Sequence, residues 1–117
     1  MAESPKMLRV ADYIAQTLAK MGSRHVFLVT GGGAMHLNDA FGRCKELEFV
    51  CCHHEQACAM AAESYARMSG RLPIVNVTTG PGGTNTLTGV WGAWVDSVPM
   101  LVVSGQLKFE TTVRASP

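Results

Sequence analysis

The stretch His25-Val26-Phe27-Leu28-Val29-Thr30-Gly31-Gly32-Gly33 decides the fold. His25 to Val29 is short, apolar and rich in β-branched and aromatic side chains, and it stops at a glycine cluster, as a strand buried on both faces does when it enters a turn. Upstream, Leu8, Ala11, Ile14, Leu18 and Met21 recur at helical spacing, with Ser4 and Pro5 suited to the cap and first position and Gly22 to the stop. Downstream, Leu37, Ala40, Phe41 and Cys44 predict a second helix and Glu48 to Cys52 a second strand. An alanine-rich helix is expected from Glu55 to Ser69, closed by Gly70, then a strand over Pro73 to Thr78. The turn Gly80-Pro81-Gly82-Gly83 leads into a helix from Asn85 to Val95, where Gly89 and Gly92 permit close approach to a neighbour, and Pro99 to Val103 supplies the fourth strand. Strand and helix alternate throughout, which predicts an α/β fold: a parallel sheet with helices on both faces. The length suits one domain spanning residues 1–117.

Apolar residues make up 47% of the chain and charged residues 16%, against a usual charged share of about 25%. Such a surface is expected to be covered in part by another subunit or by further chain. The formal charge of +1, with Lys and Arg scattered, offers no field for counterion release, so nucleic acid is not an expected partner. No apolar run approaches the roughly 20 residues that span a bilayer, and Met1 to Lys6 carries no signal-peptide pattern. The expectation is a cytoplasmic protein. Cys44, Cys51, Cys52 and Cys58 form no CxxC pair and sit in apolar company, as reduced core thiols do.

Ligands of open parallel sheets bind beyond the carboxyl ends of the strands. The segments expected there are Thr30 to Gly33, His53 to Glu55, Thr79 to Gly83 and Ser104 to Gln106. Gly31 and Gly33 begin a GxGxxG fingerprint, but His36 occupies its third glycine position, which leaves a dinucleotide site as the lesser alternative. Gly80 to Gly83 could cradle phosphate through backbone amides, or form an ordinary tight connection; the Lys and Ser/Thr of a P-loop are absent. Cys51, Cys52, His53, His54 and Cys58 suggest metal ligands, with His54 and Cys58 on one helix face, yet neighbouring strand residues point to opposite faces and a second ligand pair is lacking, so no metal is expected. Trp91 and Trp94, one helical turn apart, suit core packing or a subunit contact. Glu55 opens a helix, where a carboxylate favourably meets the positive end.

Val26 to Met35 (VFLVTGGGAM), His54 to Gly70 (HEQACAMAAESYARMSG), Thr79 to Asn85 (TGPGGTN) and Asp96 to Gln106 (DSVPMLVVSGQ), in this order and spacing, resemble the acetolactate synthase group of thiamine-diphosphate enzymes over about residues 7 to 110. The resemblance implies the front part of the pyrimidine-binding domain, an incomplete thiamine-diphosphate-binding fold. In that family the cofactor lies between this domain and a diphosphate-binding domain of another subunit. The resemblance makes Glu55 the catalytic glutamate, bonded to the aminopyrimidine ring nitrogen and favouring the imino tautomer that removes the thiazolium proton before attack on a 2-oxo acid. Apolar walls would raise its proton affinity toward that of the ring nitrogen. Thr30 and Gly31 would line the pyrimidine pocket, Thr79, Gly80, Pro81 and Gly82 would approach it with backbone atoms, and Asn85 would fix the turn and contact the cofactor. Thr30 stands where the family usually has proline. Trp94 and Gln106-Leu107-Lys108-Phe109 are similar to acetolactate-synthase-like proteins of sugar biosynthesis.

The family's domain continues through further helix and strand, a middle domain and a diphosphate domain whose GDG motif holds magnesium, and none of these is in this sequence. The expected chain is therefore a truncated product or one part of a split enzyme, joined to a diphosphate-binding domain or subunit in a homo- or hetero-oligomer. The expected function is thiamine diphosphate binding in an acetolactate-synthase-like enzyme that decarboxylates and carboligates a 2-oxo acid. The alternative is a non-catalytic binding or interaction module that kept the fold.

Overall fold

The computed structural model describes residues 7–112. Four short strands, β1 (His25–Leu28), β2 (Glu48–Cys51), β3 (Ile74–Val77) and β4 (Leu101–Ser104), form one sheet in the order β2-β1-β3-β4. Every pairing is parallel, with Phe27 opposite both Val50 and Val75, and Val75 opposite Val102. The expected parallel α/β architecture is present. The two central strands, β1 and β3, are the buried ones, because both their faces are covered, whereas at the edges β2 is exposed and β4 only partly covered.

The helices are α1 (Val10–Lys20), α2 (Met35–Arg43), α3 (Glu55–Ser69), α4 (Pro81–Thr84) and α5 (Leu87–Val95). Side chains alternate across each strand, and the two faces carry separate cores. On one, Val26, Leu28 and Ile74 meet Ala15, Leu18 and Ala19 of α1 and Ala40 and Phe41 of α2. On the other, Phe27, Val75 and Val77 meet Cys58 and Ala62 of α3. α5 lies on α3, its Gly89 so close to Ala59 that an added Cβ would stand 2.5 Å from the Ala59 Cβ. Arg9 and Arg43 join Asp12 of α1 to Asp39 of α2, and Arg67 joins Glu63 of α3 to Asp96 beyond α5.

α3 has its expected bounds, since each local signal agrees: alanines within, Glu55 in the first turn, Arg67 in the last, and Gly70 in the left-handed conformation at φ 66°. Elsewhere the elements differ from expectation. α1 begins at Val10 after Arg9, leaving Leu8 outside the helix, while Ser4 and Pro5 lie outside the described residues. The Gly80–Gly83 segment is not a simple turn: Pro81 opens a one-turn helix, and Thr86, whose hydroxyl donates to the Gly83 carbonyl at 2.6 Å, separates it from α5. The thiols are not uniformly core residues either. Cys58 is buried, Cys44 and Cys52 are partly covered, and Cys51 is exposed because β2 forms an open edge of the sheet.

The connection after β1 leads outward to β2, whereas the chain returns across β1 to enter β3 and then continues outward to β4. The direction of winding therefore reverses between β1 and β3. This is the topological switch point at which open α/β sheets form a crevice beyond the carboxyl ends of their strands.

Candidate functional site

The segments leaving β1 and β3 face each other at that switch point, and Glu55 opens α3 beside them. Its backbone position follows from a cap: the Nδ1 atom of His54 accepts a hydrogen bond from the Gln56 amide at 3.1 Å, satisfying one of the free donors at the start of α3. His54 is thus the cap and not a member of the helix, so it does not share a helical face with Cys58. Among the described residues no three His, Cys, Asp or Glu side chains gather as metal ligands. Burial, then the neighbouring Cys52 and Glu55, push the Cys58 thiol up to about 12, which makes it a poor source of thiolate.

The two carboxylate oxygens of Glu55 have different company. Oε2 accepts a hydrogen bond from the Asn85 side-chain amide at 3.0 Å. Oε1 makes no hydrogen bond to another described side chain and faces Gly82, where an added Cβ would stand 3.5 Å from it. The Asn85 bond, followed by a backbone hydrogen bond, holds the carboxyl below its ordinary range, and partial burial opposes this only weakly. The direction is opposite to that expected from apolar walls, because in this chain the carboxylate is only partly covered.

The other residues expected at the rim divide into two sets. Gly31 and Gly82 both come against the side chain of Thr78, and neither has room for a Cβ: at Gly82 it would lie 2.7 Å from the Thr78 γ-methyl, and at Gly31 it would overlap Thr78 outright. Gly80 adopts φ 62°, a conformation that favours glycine, and Pro81 takes the first position of α4, so these two set the path of the third turn. Thr30 is exposed, and Thr79 turns away to donate to Gln106 Oε1 at 3.2 Å. Gln106 in turn donates its backbone amide to the Gly33 carbonyl at 3.2 Å, and Ser104 donates its hydroxyl to the Thr78 carbonyl at 3.1 Å. The segments after β1, β3 and β4 are therefore bonded to one another, and Glu55 after β2 joins them through Asn85.

Thr78 itself was absent from the residues expected at the site. As the last residue of an expected strand it carried no sequence signal except β-branching immediately before a glycine turn. Its hydroxyl accepts a hydrogen bond from the Gly33 amide at 3.2 Å. The marked concavities lie elsewhere: one between α1 and α2, lined by residues including Asp12, Lys20, Arg24 and Arg43, and one under Trp94 at Ser97 to Met100. Neither contains a rim residue, and Glu55 itself is only partly covered.

Comparison with known proteins gives this geometry a family. The family described as thiamine pyrophosphate enzyme, N-terminal TPP binding domain, matches residues 8–116. The acetolactate synthase large subunit of Haemophilus influenzae is 40% identical over 102 residues, covering 87% of this chain and 18% of that protein. That of Lactococcus lactis is 40% identical over 97 residues, covering 83% of this chain and 17% of its own, and the isozyme 3 large subunit of Escherichia coli is 37% identical over 102 residues, 87% of this chain and 18% of its own. The chain thus spans less than a fifth of the length of these relatives. Sequence order, switch-point geometry and these matches agree that the chain belongs to the thiamine pyrophosphate enzyme family, as an N-terminal TPP-binding domain of the acetolactate synthase type.

Proposed function

We propose that this chain supplies the aminopyrimidine half of a thiamine-diphosphate site in an acetolactate-synthase-like enzyme, with Glu55 as the residue that bonds the ring. The single observation that carries this is the free Oε1 of Glu55 at the switch-point crevice, its partner oxygen already held by Asn85. An oriented carboxylate with one open acceptor fits a ring nitrogen that gains a proton. Asn85 fixes the carboxylate, Gly31 and Gly82 leave the backbone bare beside it, and Gly80 and Pro81 shape the turn. Thr30 and Thr79 complete the wall through main-chain atoms, with the Thr79 hydroxyl engaged by Gln106. When bound, the cofactor supplies the carbanion chemistry that decarboxylates a 2-oxo acid and joins it to an acceptor.

A covering subunit would dry the crevice and raise the Glu55 proton affinity from its present low value toward that needed for exchange with the ring. Diphosphate and magnesium would be held by a separate diphosphate-binding domain, since the described residues gather no acidic cluster for a cation. An oligomer with that domain, working in the cytoplasm, is the assembly proposed. No helix of the described residues is long and apolar enough to cross a membrane.

Calorimetric titration of thiamine diphosphate with magnesium tests the division of the site. The chain alone is expected to bind weakly or not at all, and the chain mixed with the diphosphate-binding domain of a relative to bind saturably. Tight binding by the chain alone would contradict the divided site. Absence of binding by the assembled mixture would contradict the cofactor assignment.

A further inference from the structure

We propose that Thr78 is a positioning residue whose two branches do separate work, the hydroxyl fastening the first turn and the γ-methyl bracing α4 beside the Glu55 carboxylate. The functional meaning of this rests on the pyrimidine-site assignment of Glu55; the geometry does not. The hydroxyl accepts the Gly33 amide, across a separation of 45 residues. The γ-methyl fills the space next to Gly82 that a side chain at that position would need. The main chain of Thr78 adds a third tie, its carbonyl accepting the Ser104 hydroxyl. One residue thus ties together the segments after β1 and β3 and the last residue of β4.

The link to Glu55 runs through α4. Gly82 lies within that helical turn, and Asn85, its C-terminal cap, makes the bond to Glu55 Oε2. Bracing Gly82 therefore sets the height of Asn85 above the carboxylate. Only threonine offers both branches: serine keeps the hydroxyl and loses the brace, and valine keeps the brace and loses the acceptor. The glycines at 31 and 82 follow from the same residue, because each faces Thr78 without space for a Cβ.

Thr78→Ser and Thr78→Val, made in this chain, separate the two roles by NMR without any cofactor. Thr78→Val is expected to speed exchange of the Gly33 amide by roughly 2- to 10-fold, the factor corresponding to one net hydrogen bond, with the Glu55 carboxyl titrating as before. Thr78→Ser is expected to keep Gly33 protected and to shift the Glu55 titration upward as α4 loosens and the Asn85 bond weakens. His54 and Cys58 also adjoin Glu55 and are unchanged in both variants, so a differential shift reports the Asn85 contact. Both readouts moving together in both variants, or Glu55 unmoved in Thr78→Ser, would overturn the proposal. Should Thr78→Val fail to fold, Thr78→Ser still decides by the same Glu55 criterion. The expected split combined with no thiamine-diphosphate binding in the assembled mixture would support the role of Thr78 and count against the cofactor assignment alone.

Discussion

The Glu55 carboxylate is held by a residue distant in the chain, Asn85. Asn85 lies 30 positions away, and its bond to Oε2 leaves Oε1 as the acceptor beside Gly82. The same bond is the leading cause of the depressed carboxyl titration. A group whose folded pKa lies below its unfolded value stabilises the fold once ionised. That contribution is present above the unfolded glutamate range and is lost as pH falls through the lowered folded value. Asn85→Ala is expected to move the Glu55 titration up toward the ordinary glutamate range and to weaken this pH dependence, which a carbon-detected NMR titration of the Glu55 carboxyl would show. Glu55 was legible because its motif and helix-start position coincide. Asn85 was legible as a turn residue and a cofactor contact but not as the partner of Glu55, since no local pattern reveals a side chain reaching across to another helix, and Thr78 was hidden because its bond to Gly33 spans 45 positions.

The elements best anticipated are those in which local signals agree. α3 matches to the residue because alanine content, end charges and a left-handed glycine all point to the same bounds. α1 ends where Gly22, at φ 97°, predicts, but its start at Val10 was obscured because Arg9 precedes it without a side-chain cap bond. α5 ends in a left-handed Ser97, φ 55°, where the Val98 amide reaches back to the Ala93 carbonyl at 2.8 Å, a termination that sequence marks poorly without glycine. Between α3 and α5 the deciding contact is Gly89 on Ala59. Helix propensity alone would favour Gly89→Ala by about 1 kcal/mol. Packing should reverse that sign: the new methyl meets the Ala59 Cβ and lies 3.1 Å from the Ala59 carbonyl carbon and the Met60 amide nitrogen, backbone atoms that yield only if the helices separate. Overpacking of this kind costs about 1–3 kcal/mol. Urea denaturation is expected to show a net loss of stability, and a gain would mean that the two helices part without cost.

For the whole molecule, the exposed face of α5 bears on assembly. Trp91 and Trp94 remain 68% and 78% exposed, so the core-packing alternative for them does not hold, and Leu87 and Val95 extend the same surface. No charged residue occurs in α5. An apolar helix face of this kind is expected to be covered by a subunit. Sedimentation should show concentration-dependent association of the chain, abolished by Trp91→Glu, a substitution at a side chain the fold does not use. A wild-type chain that stays monomeric at high concentration and in the presence of a diphosphate-binding domain would contradict that assembly.

The most direct test of the central claim is exchange of the thiazolium C2 proton of thiamine diphosphate bound to the assembled protein. Glu55→Gln preserves size and the acceptor for Asn85 but removes proton exchange, and should slow this reaction by about 10² to 10⁴, the range for general acid and base groups. The control is Glu48→Gln, because Glu48 begins β2 at the opposite end of the sheet, its side chain is 81% exposed, and its contact with His25 at 3.4 Å lies at that same end. Glu63 would be a poorer control, since it ties α3 to Asp96 through Arg67. Slow exchange is expected in Glu55→Gln, with wild-type exchange in Glu48→Gln. Wild-type exchange in Glu55→Gln, with cofactor demonstrably bound, would contradict it and leave the carboxylate as no more than a charge at the end of a helix.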